Sequence, residues 1–262
     1  MSTDIPVIAD TTPDAAGAFP FTFDQLESLQ QLERHVELNP LDEISLTAML
    51  LGAVGGLALL QTYYQRTSNH WQIFLYIFFL AGFHFLEYFI TARYNTQKVK
   101  SSSFLLRNGI SYTIAHSISL LEYLVGTFIF SRIYSQFIVF SWLTTPLGLL
   151  LVVAGQLVRS LAMIQASSNF SHIVATRRAE KHQLVTHGVY SLSRHPSYAG
   201  FFYWALGTQI LLRNPFSFVL FAALLWRFFK ERIDDEEQYL LVFFGNEYKK
   251  YREATPTLIP FI

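Results

Sequence analysis

Six apolar stretches follow the first 40 residues of the chain, and polar segments separate them. They cover residues 44–64, 71–90, 112–130, 137–158, 198–212 and 215–229. A helix crosses the hydrocarbon core of a bilayer with about 20 apolar residues, and the first four stretches approach that length. The last two are shorter and are separated by Arg213 and Asn214, so the pattern predicts a short helical hairpin at the end of the bundle.

Composition strengthens the case for a membrane protein. Hydrophobic residues make up 52% of the 262 residues and charged residues only 15%, against about 25% charged in soluble domains. The predicted fold class is therefore an all-α integral membrane protein with about six transmembrane helices. Cysteine is absent, which excludes disulfides and thiolate chemistry, and the net charge of zero gives no reason to expect a nucleic-acid partner.

Lysine and arginine are distributed unevenly between the two sides that six crossings would define. One side collects 16 of these 19 residues and the other collects 3. The positive-inside rule makes the rich side cytosolic, so both termini and residues 159–197 and 230–262 are predicted to be cytosolic. We therefore expect a site at the cytosolic mouth of the bundle, built by residues 170–200 and 230–250.

The N-terminal region has two different patterns. Residues 1–22 are polar and acidic, which predicts a disordered cytosolic segment. Residues 23–38 carry apolar side chains at spacings of three and four, which is typical of an amphipathic helix. That helix either caps the bundle or serves as an interfacial or partner helix.

The polar segment before the predicted hairpin contains basic, aromatic and turn-forming residues. Arg194 and His195 precede Pro196, and proline suits the first turn of a helix. The start of that helix would present free backbone N–H groups and a partial positive charge beside two basic side chains. Such a place binds a carboxylate or phosphate readily, although an ordinary juxtamembrane helix start anchored by Tyr198 has the same residues.

A second polar cluster continues the last apolar stretch towards the C-terminus. Arg232 and Glu236 are four residues apart in it, so both lie on one helical face. On spacing alone, the two side chains form either a solvated ion pair or part of a functional site.

Two histidines and two glutamates lie inside the apolar stretches: His84, Glu87, His116 and Glu122. Ionisable groups in a membrane span are functional candidates by default. His84 and Glu87 are three residues apart and can pair on one helix. Hydrogen bonds between helices and a metal site are the other interpretations, and no metal ligand is assigned.

Taken together, these motifs resemble the isoprenylcysteine carboxyl methyltransferase family. The matching residues are Gly188–Tyr190, Ser193–Gly200, Trp226–Phe229, Arg232, Glu236–Glu237, Phe243–Gly245, Glu247–Tyr251 and Ile259–Ile262, with His84–Tyr88 and Asn169–His172 upstream. The resemblance covers about residues 38–262. The Arg194–Gly200 motif alone also occurs in phospholipid methyltransferases and some sterol reductases, so the upstream match narrows the assignment. The six-span form is similar to the fungal enzymes.

The resemblance implies an activity, a cofactor and a location. Members of this family transfer a methyl group from S-adenosylmethionine to the carboxylate of a C-terminal farnesyl- or geranylgeranyl-cysteine, in the endoplasmic reticulum membrane. The implied partners are the prenylated cysteine of processed C-a-a-X proteins and membrane lipid, with no nucleic acid. Residues 39–262 would then be a membrane methyltransferase domain, with its cofactor site from about 170–200 and 230–250.

The family's site residues carry over onto matching positions of this sequence. Arg232 would hold the substrate carboxylate, and Glu236 would join it at the catalytic centre as a cofactor ligand. The implied cofactor-binding residues are His182, Gln183, Leu184, Val185, Tyr190, His195, Pro196, Ser197, Tyr198 and Glu236. A substrate carboxylate is already ionised at pH 7 and needs no general base.

Two other functions remain open from the residues. A phospholipid N-methyltransferase would need a base or an anionic site for its amine, whereas Arg232 suits a carboxylate better. A non-enzymatic transporter-like bundle would concentrate polar residues at the membrane midplane, whereas here the polar density lies at the predicted cytosolic mouth.

Overall fold

The computed structural model describes Ser28 and residues 39–68, 70–128, 141–178 and 182–262. All regular secondary structure in these residues is helical. Apart from Ser28, the predicted N-terminal segment and amphipathic helix lie outside the described residues. The helices are α1 (Leu41–Tyr64), α2 (Trp71–Tyr94), α3 (Ile110–Phe128), α4 (Ser141–Ala166), α5 (Pro196–Leu212), α6 (Pro215–Phe244) and α7 (Asn246–Ala254), with 3-10 turns at Ser101–Phe104, Ser167–Asn169 and Gly188–Ser191.

Three of the described helices are long and apolar enough to cross a membrane: α1, α2 and the segment Trp142–Asn169, which contains most of α4. The helices α3 and α5 are shorter, with 19 and 17 residues. The longest described helix, α6, has 30 residues and continues well past the predicted end of its apolar stretch at residue 229. The all-α prediction is confirmed for the described residues, whereas six crossings and a terminal hairpin stay predictions.

Glycine residues allow α4 and α5 to approach each other at backbone distance. A Cβ atom added to Gly155 of α4 would lie 2.6 Å from the carbonyl oxygen of Gly200 in α5. One added to Gly148 would lie 2.8 Å from the amide nitrogen of Leu211, and one added to Gly207 would meet α4 equally closely. Small residues produce this close packing between helices where a bilayer gives little hydrophobic drive. The contact fixes the start of α5 beside the C-terminal half of α4.

The carboxylate of Glu122 binds the first turn of α6. Its oxygens accept the backbone N–H groups of Phe216 at 2.9 Å and Ser217 at 2.6 Å. The first N–H groups of a helix have no partner within the helix, and its N-terminus carries a partial positive charge. Glu122 therefore connects α3 to α6 and does not pair with His116.

The intramembrane histidines also form hydrogen bonds between elements. His84 Nδ1 lies 2.8 Å from the carbonyl oxygen of Phe104, and its Nε2 lies 3.1 Å from the Tyr112 hydroxyl. His116 Nδ1 lies 2.6 Å from the hydroxyl of Tyr76 in α2. The spacing allowed His84 and Glu87 to pair, but His84 bonds to the Phe104 carbonyl and Glu87 bonds to Arg159.

After α7 the chain folds back along the start of α5 and along α6. The carbonyl oxygen of Pro256 accepts the backbone N–H of Arg194 at 2.9 Å, and that of Thr257 accepts the Ser193 hydroxyl at 2.7 Å. Further along, the Pro260 carbonyl accepts the indole N–H of Trp226 at 2.8 Å. We call residues 255–262 the C-terminal strap, because they hold the segment before α5 against α6.

Candidate active site

A solvent-open cavity, whose space of about 680 Å³ includes part of the open solvent at its mouth, lies between the segment before α5 and the C-terminal half of α6. Every residue predicted to bind the cofactor lines it: His182, Gln183, Leu184, Val185, Tyr190, His195, Pro196, Ser197, Tyr198 and Glu236. The structure thus brings together residues that are up to 54 positions apart in the chain. We call this space the first cavity.

A second cavity of about 560 Å³ contains Arg232. Its apolar lining comes from aromatic and aliphatic side chains of α5, α6 and the turn after Ser101–Phe104, namely Phe201, Phe228, Phe229 and Leu105. Ser197 and Tyr198 line both cavities. The two spaces therefore share a wall at the first turn of α5.

The hydroxyl of Tyr198 joins the two residues assigned to the catalytic centre. It donates a hydrogen bond to Oε2 of Glu236 at 2.5 Å and accepts one from Nε of Arg232 at 2.8 Å. The direct i,i+4 ion pair that the spacing allowed is not formed. Arg232 and Glu236 instead face different cavities and are connected through the tyrosine between them.

Arg232 is a cation without a carboxylate partner among the described residues. Its Nη2 donates to the carbonyl oxygen of His172, and its guanidinium carbon lies 5.5 Å from the ring centroid of Tyr198. By contrast, Arg159 and Arg194, which also border the cavities, are each paired with a glutamate. The guanidinium of Arg232 thus has N–H groups available for an anion in the second cavity.

Glu237, the neighbour of Glu236, holds the wall of the first cavity together. It accepts hydrogen bonds from Nε of Arg194 at 2.5 Å and Nε2 of His195 at 3.2 Å. Burial alone would raise the pKa of Glu237, but the hydrogen bonds and charges of His195 and Arg194 lower it to about 2. The ring of His195 then stacks on that of Tyr198, with centroids 5.6 Å apart. Glu237 is therefore an anchor, a role that the sequence did not assign.

Neutral rings make up much of the rest of the first cavity. Burial raises the pKa of Tyr251 to about 12 and also raises that of Tyr190, so both hydroxyls stay protonated at neutral pH. The Tyr251 hydroxyl donates to the Tyr190 carbonyl at 2.6 Å. Burial and the nearby Lys98 and Arg178 lower the pKa of His182, which keeps its imidazole neutral at pH 7. Such walls suit a flat ring system or a cation.

A buried ion pair behind the cavities was missed by the sequence interpretation. Glu87 of α2 is fully buried and receives two N–H groups from Arg159 of α4, one of them at 2.8 Å. Nη1 of Arg159 donates to the Ser197 hydroxyl at 3.1 Å. Arg159 had been counted as a loop residue, but α4 extends eight residues past its predicted end. Glu87 compensates the charge of Arg159, which would be costly to bury without a partner.

The predicted cofactor residues came from the family resemblance, which places them in residues 182–198 and at Glu236. The missed lining residues lie outside those positions, among them Asn169, Phe170, Tyr248 and Tyr251. The turn at Asn169 did carry one indication, since it belongs to the upstream stretch that matched the family. Tyr248 and Tyr251 also belong to a matching stretch, Glu247–Tyr251, and they lie one helical turn apart on α7, so the fold brings them to the cavity together.

Known proteins with similar sequences and structures agree on one family. The sequence model of the isoprenylcysteine carboxyl methyltransferase family matches residues 147–242. A protein-S-isoprenylcysteine O-methyltransferase from Saccharomyces cerevisiae is 49% identical over 229 residues, which is 87% of this chain and 94% of that protein. The Schizosaccharomyces pombe protein of the same name is 43% identical over 84% of this chain and 94% of its own length. The Homo sapiens protein of that name is 40% identical over 85% of this chain and 76% of its length.

A solved structure supports the same relationship. It is titled as the eukaryotic intramembrane Ras methyltransferase ICMT, isoprenylcysteine carboxyl methyltransferase, without a monobody. The two chains superpose with a TM-score of 0.74 at 33% sequence identity, covering 90% of this chain and 86% of the other.

Proposed function

This chain belongs to the isoprenylcysteine carboxyl methyltransferase family, and from that premise we propose how it methylates the carboxylate of a prenylated cysteine. It is a multi-pass membrane enzyme. We infer that S-adenosylmethionine is its methyl donor and that the cofactor and the prenylcysteine occupy the first and second cavities.

The observation that carries this assignment is the wall shared by the two cavities. Glu236 lies on one side of Tyr198 and the unpaired guanidinium of Arg232 on the other. A transfer between two bound molecules needs their reacting atoms to lie close together, and adjoining cavities provide that arrangement. An anion held by Arg232 would meet the first cavity at Ser197 and Tyr198.

The residues of the first cavity fit the chemistry of S-adenosylmethionine. Glu236 offers a carboxylate to an ammonium group or ribose hydroxyls, and the neutral rings of Tyr190, Tyr251 and His182 suit a sulfonium cation and an adenine ring. Asn169 adds amide hydrogen bonding at the rim, where its Oδ1 accepts the backbone N–H of Gln183 at 3.0 Å. When bound, the cofactor supplies the activated methyl group of its sulfonium.

Arg232 is the residue that prepares the nucleophile. The substrate carboxylate is ionised at pH 7, so no side chain has to remove a proton. The planar guanidinium can hold the carboxylate by parallel N–H···O bonds and point a lone pair of one oxygen towards the shared wall. Tyr198 and the carbonyl of His172 hold the guanidinium itself, which limits the number of rotamers from which it binds. Orientation of this kind can supply about 7–11 kcal/mol of a barrier.

The apolar half of the second cavity suits the prenyl chain. Phe201, Phe228, Phe229 and Leu105 line it, and α6 also carries exposed apolar residues such as Val219 and Leu224. Burial of each CH₂ group contributes about 0.8 kcal/mol, so a farnesyl or geranylgeranyl chain gives strong anchoring at such a site. A substrate that partitions into lipid explains why the enzyme is built within a membrane.

We further infer six crossings, cytosolic termini and a location in the endoplasmic reticulum membrane. Segments predicted to be cytosolic contact one another: Asn95 Nδ2 donates to the Phe170 carbonyl at 2.8 Å, and Arg194 bonds to the C-terminal strap. The sequon at Asn169 would therefore face the cytosol. We expect no glycan at Asn169 in cells, and a glycan there, detected as an endoglycosidase-sensitive mobility shift, would contradict this topology.

Transfer of labelled methyl groups tests the proposed function. The purified, lipid-reconstituted protein would be given labelled S-adenosylmethionine with either N-acetyl-S-farnesylcysteine or phosphatidylethanolamine. We expect a base-labile methyl ester on the farnesylcysteine alone. Label on the phospholipid would reassign the enzyme to amine methylation, and label on neither acceptor, with intact cofactor binding, would refute the proposed acceptor.

A further inference from the structure

Glu87 has a third partner besides the two N–H groups of Arg159. Nε2 of His172 lies 2.9 Å from its Oε2. A carboxylate held by a guanidinium can only accept hydrogen bonds, so the imidazole must donate and Nε2 carries the proton. The ring of His172 is thereby fixed in both orientation and tautomer.

His172 in turn holds Arg232, through its main chain. Its carbonyl oxygen accepts Nη2 of Arg232, while Nε of Arg232 binds the Tyr198 hydroxyl. The segment around His172 has no regular secondary structure, so side chains must fix its position. Asn95 and Lys98 donate hydrogen bonds to the carbonyl oxygen of Phe170, two residues before His172. Glu87 accepts one from the ring of His172 itself.

A chain of direct contacts therefore runs from the buried interior of α2 to the guanidinium in the second cavity. Glu87 is fully buried, whereas the His172 side chain is 22% exposed and lines that cavity. Glu87 lies behind the cavities and lines neither of them. Any influence of Glu87 on the substrate must therefore pass through His172 or Arg159.

We propose that Glu87 and His172 are positioning residues for methyl transfer. Glu87 orients the His172 ring, and the fixed main chain of His172 sets the direction of the Arg232 guanidinium. The inference rests on the proposed function, in which Arg232 binds the substrate carboxylate. Arginine has many rotamers, and displacement of a reacting group by about 1 Å can reduce turnover by about a hundredfold. Glu87, which lines neither cavity, would thus act on the carboxylate without touching it.

The test compares N-acetyl-S-farnesylcysteine with its methyl ester, which has the same prenyl chain but no charge. His172→Ala removes the donor to Glu87 and leaves the Glu87–Arg159 ion pair intact, so the protein should still fold. We expect kcat/KM for the acid to fall about tenfold to a hundredfold. The inhibition constant of the ester and the cofactor affinity should change by less than about threefold, because neither ligand depends on the guanidinium.

His172→Gln serves as the rescue variant, since its amide can donate to Glu87, and we expect it to recover most of the lost kcat/KM. Glu87→Gln, measured in the folded fraction of the protein, should likewise lower kcat/KM for the acid more than it weakens inhibition by the ester. His70→Ala is the matched control, because His70 lies at the opposite end of α2 and stacks on Phe128. It should leave all of these constants unchanged.

Equal losses for acid and ester in His172→Ala, or no recovery in His172→Gln, would overturn the inference and reduce the contact to a packing role. Arg232→Ala separates this failure from failure of the proposed site. If Arg232→Ala weakens the acid selectively while His172→Ala does not, only the positioning role is refuted. If Arg232→Ala also fails to lower kcat/KM for the acid relative to inhibition by the ester, the carboxylate-binding role of Arg232 itself is wrong.

Discussion

Replacing Arg232 by alanine removes the guanidinium from the second cavity and leaves its neighbours Tyr198 and His172 in place. In the proposed complex the guanidinium donates two hydrogen bonds to the substrate carboxylate. Each bond to a charged group contributes about 1.5–3 kcal/mol, so the two together contribute about 3–6 kcal/mol. At about 1.4 kcal/mol for each factor of ten, kcat/KM for N-acetyl-S-farnesylcysteine should fall by about 10²–10⁴.

The assay is the initial rate of labelled methyl ester formation, with cofactor affinity measured on the same preparation by calorimetry. Cofactor affinity should change by less than about threefold, because Arg232 does not line the first cavity. Arg232→Lys should recover part of the loss, since an ammonium supplies the charge but lacks the planar fork.

Arg227→Ala provides the matched control for this experiment. Arg227 lies five residues earlier on the same helix, its side chain is 77% exposed, and it pairs with Glu231 at 2.9 Å. Removing it should leave kcat/KM unchanged, because an exposed i,i+4 pair contributes little and Arg227 lines neither cavity. A kcat/KM for Arg232→Ala within about threefold of the unsubstituted enzyme would refute the carboxylate-binding role.

Three other predictions follow from the same geometry. Glu236→Ala should weaken cofactor binding before it changes the farnesylcysteine KM, since Glu236 lines only the first cavity; unaltered cofactor affinity in calorimetry would remove it from that site. The pKa of Glu237 is lower in the folded protein, about 2, than its ordinary 4.5, so its stabilising contribution is present above about pH 4.5 and lost as the pH falls towards 2. In detergent, the melting temperature of Glu237→Gln should therefore fall less on acidification than that of the unsubstituted protein, because about 3 kcal/mol of stability depends on the ionised carboxylate. Identical pH profiles of the melting temperature would contradict the anchoring role. Gly155→Ala should lower the melting temperature, because overpacking against α5 costs about 1–3 kcal/mol. Gly82→Ala is the control and should not lower it, because no atom lies within 4 Å of the added Cβ. Equal melting temperatures of the two variants would refute the close contact.

The family resemblance assigned the cofactor residues from short motifs, and the structure places all of them around one cavity. His195 precedes the helix that begins at Pro196, and Tyr198 lies in its first turn. Glu236 lies one turn from Arg232 on the next helix. The end of α6 was not predicted, because the apolar residues stop near 229 while ion pairs such as Lys230 with Asp234 continue the helix in polar surroundings.

Partners from distant helices could not be inferred in the same way. Glu87 and Arg159 are 72 residues apart, and neither carries a local pattern that identifies the other. The nearer His84 satisfied the spacing rule but bonds to the Phe104 carbonyl. Spacing along one helix limits which pairs are possible, and only the packing of α2 against α4 decides which pair forms.

The C-terminal strap has a consequence for the biogenesis of the enzyme. Domains form progressively from the N-terminus as the ribosome extends the chain. The carbonyl groups that hold Ser193 and Arg194 belong to Thr257 and Pro256, which are translated after every residue of both cavities. The helices can thus enter the bilayer while the segment before α5 still lacks these partners. The segment before α5 therefore gains these partners only after the strap has emerged from the ribosome, so the last residues to be made complete the wall of the first cavity.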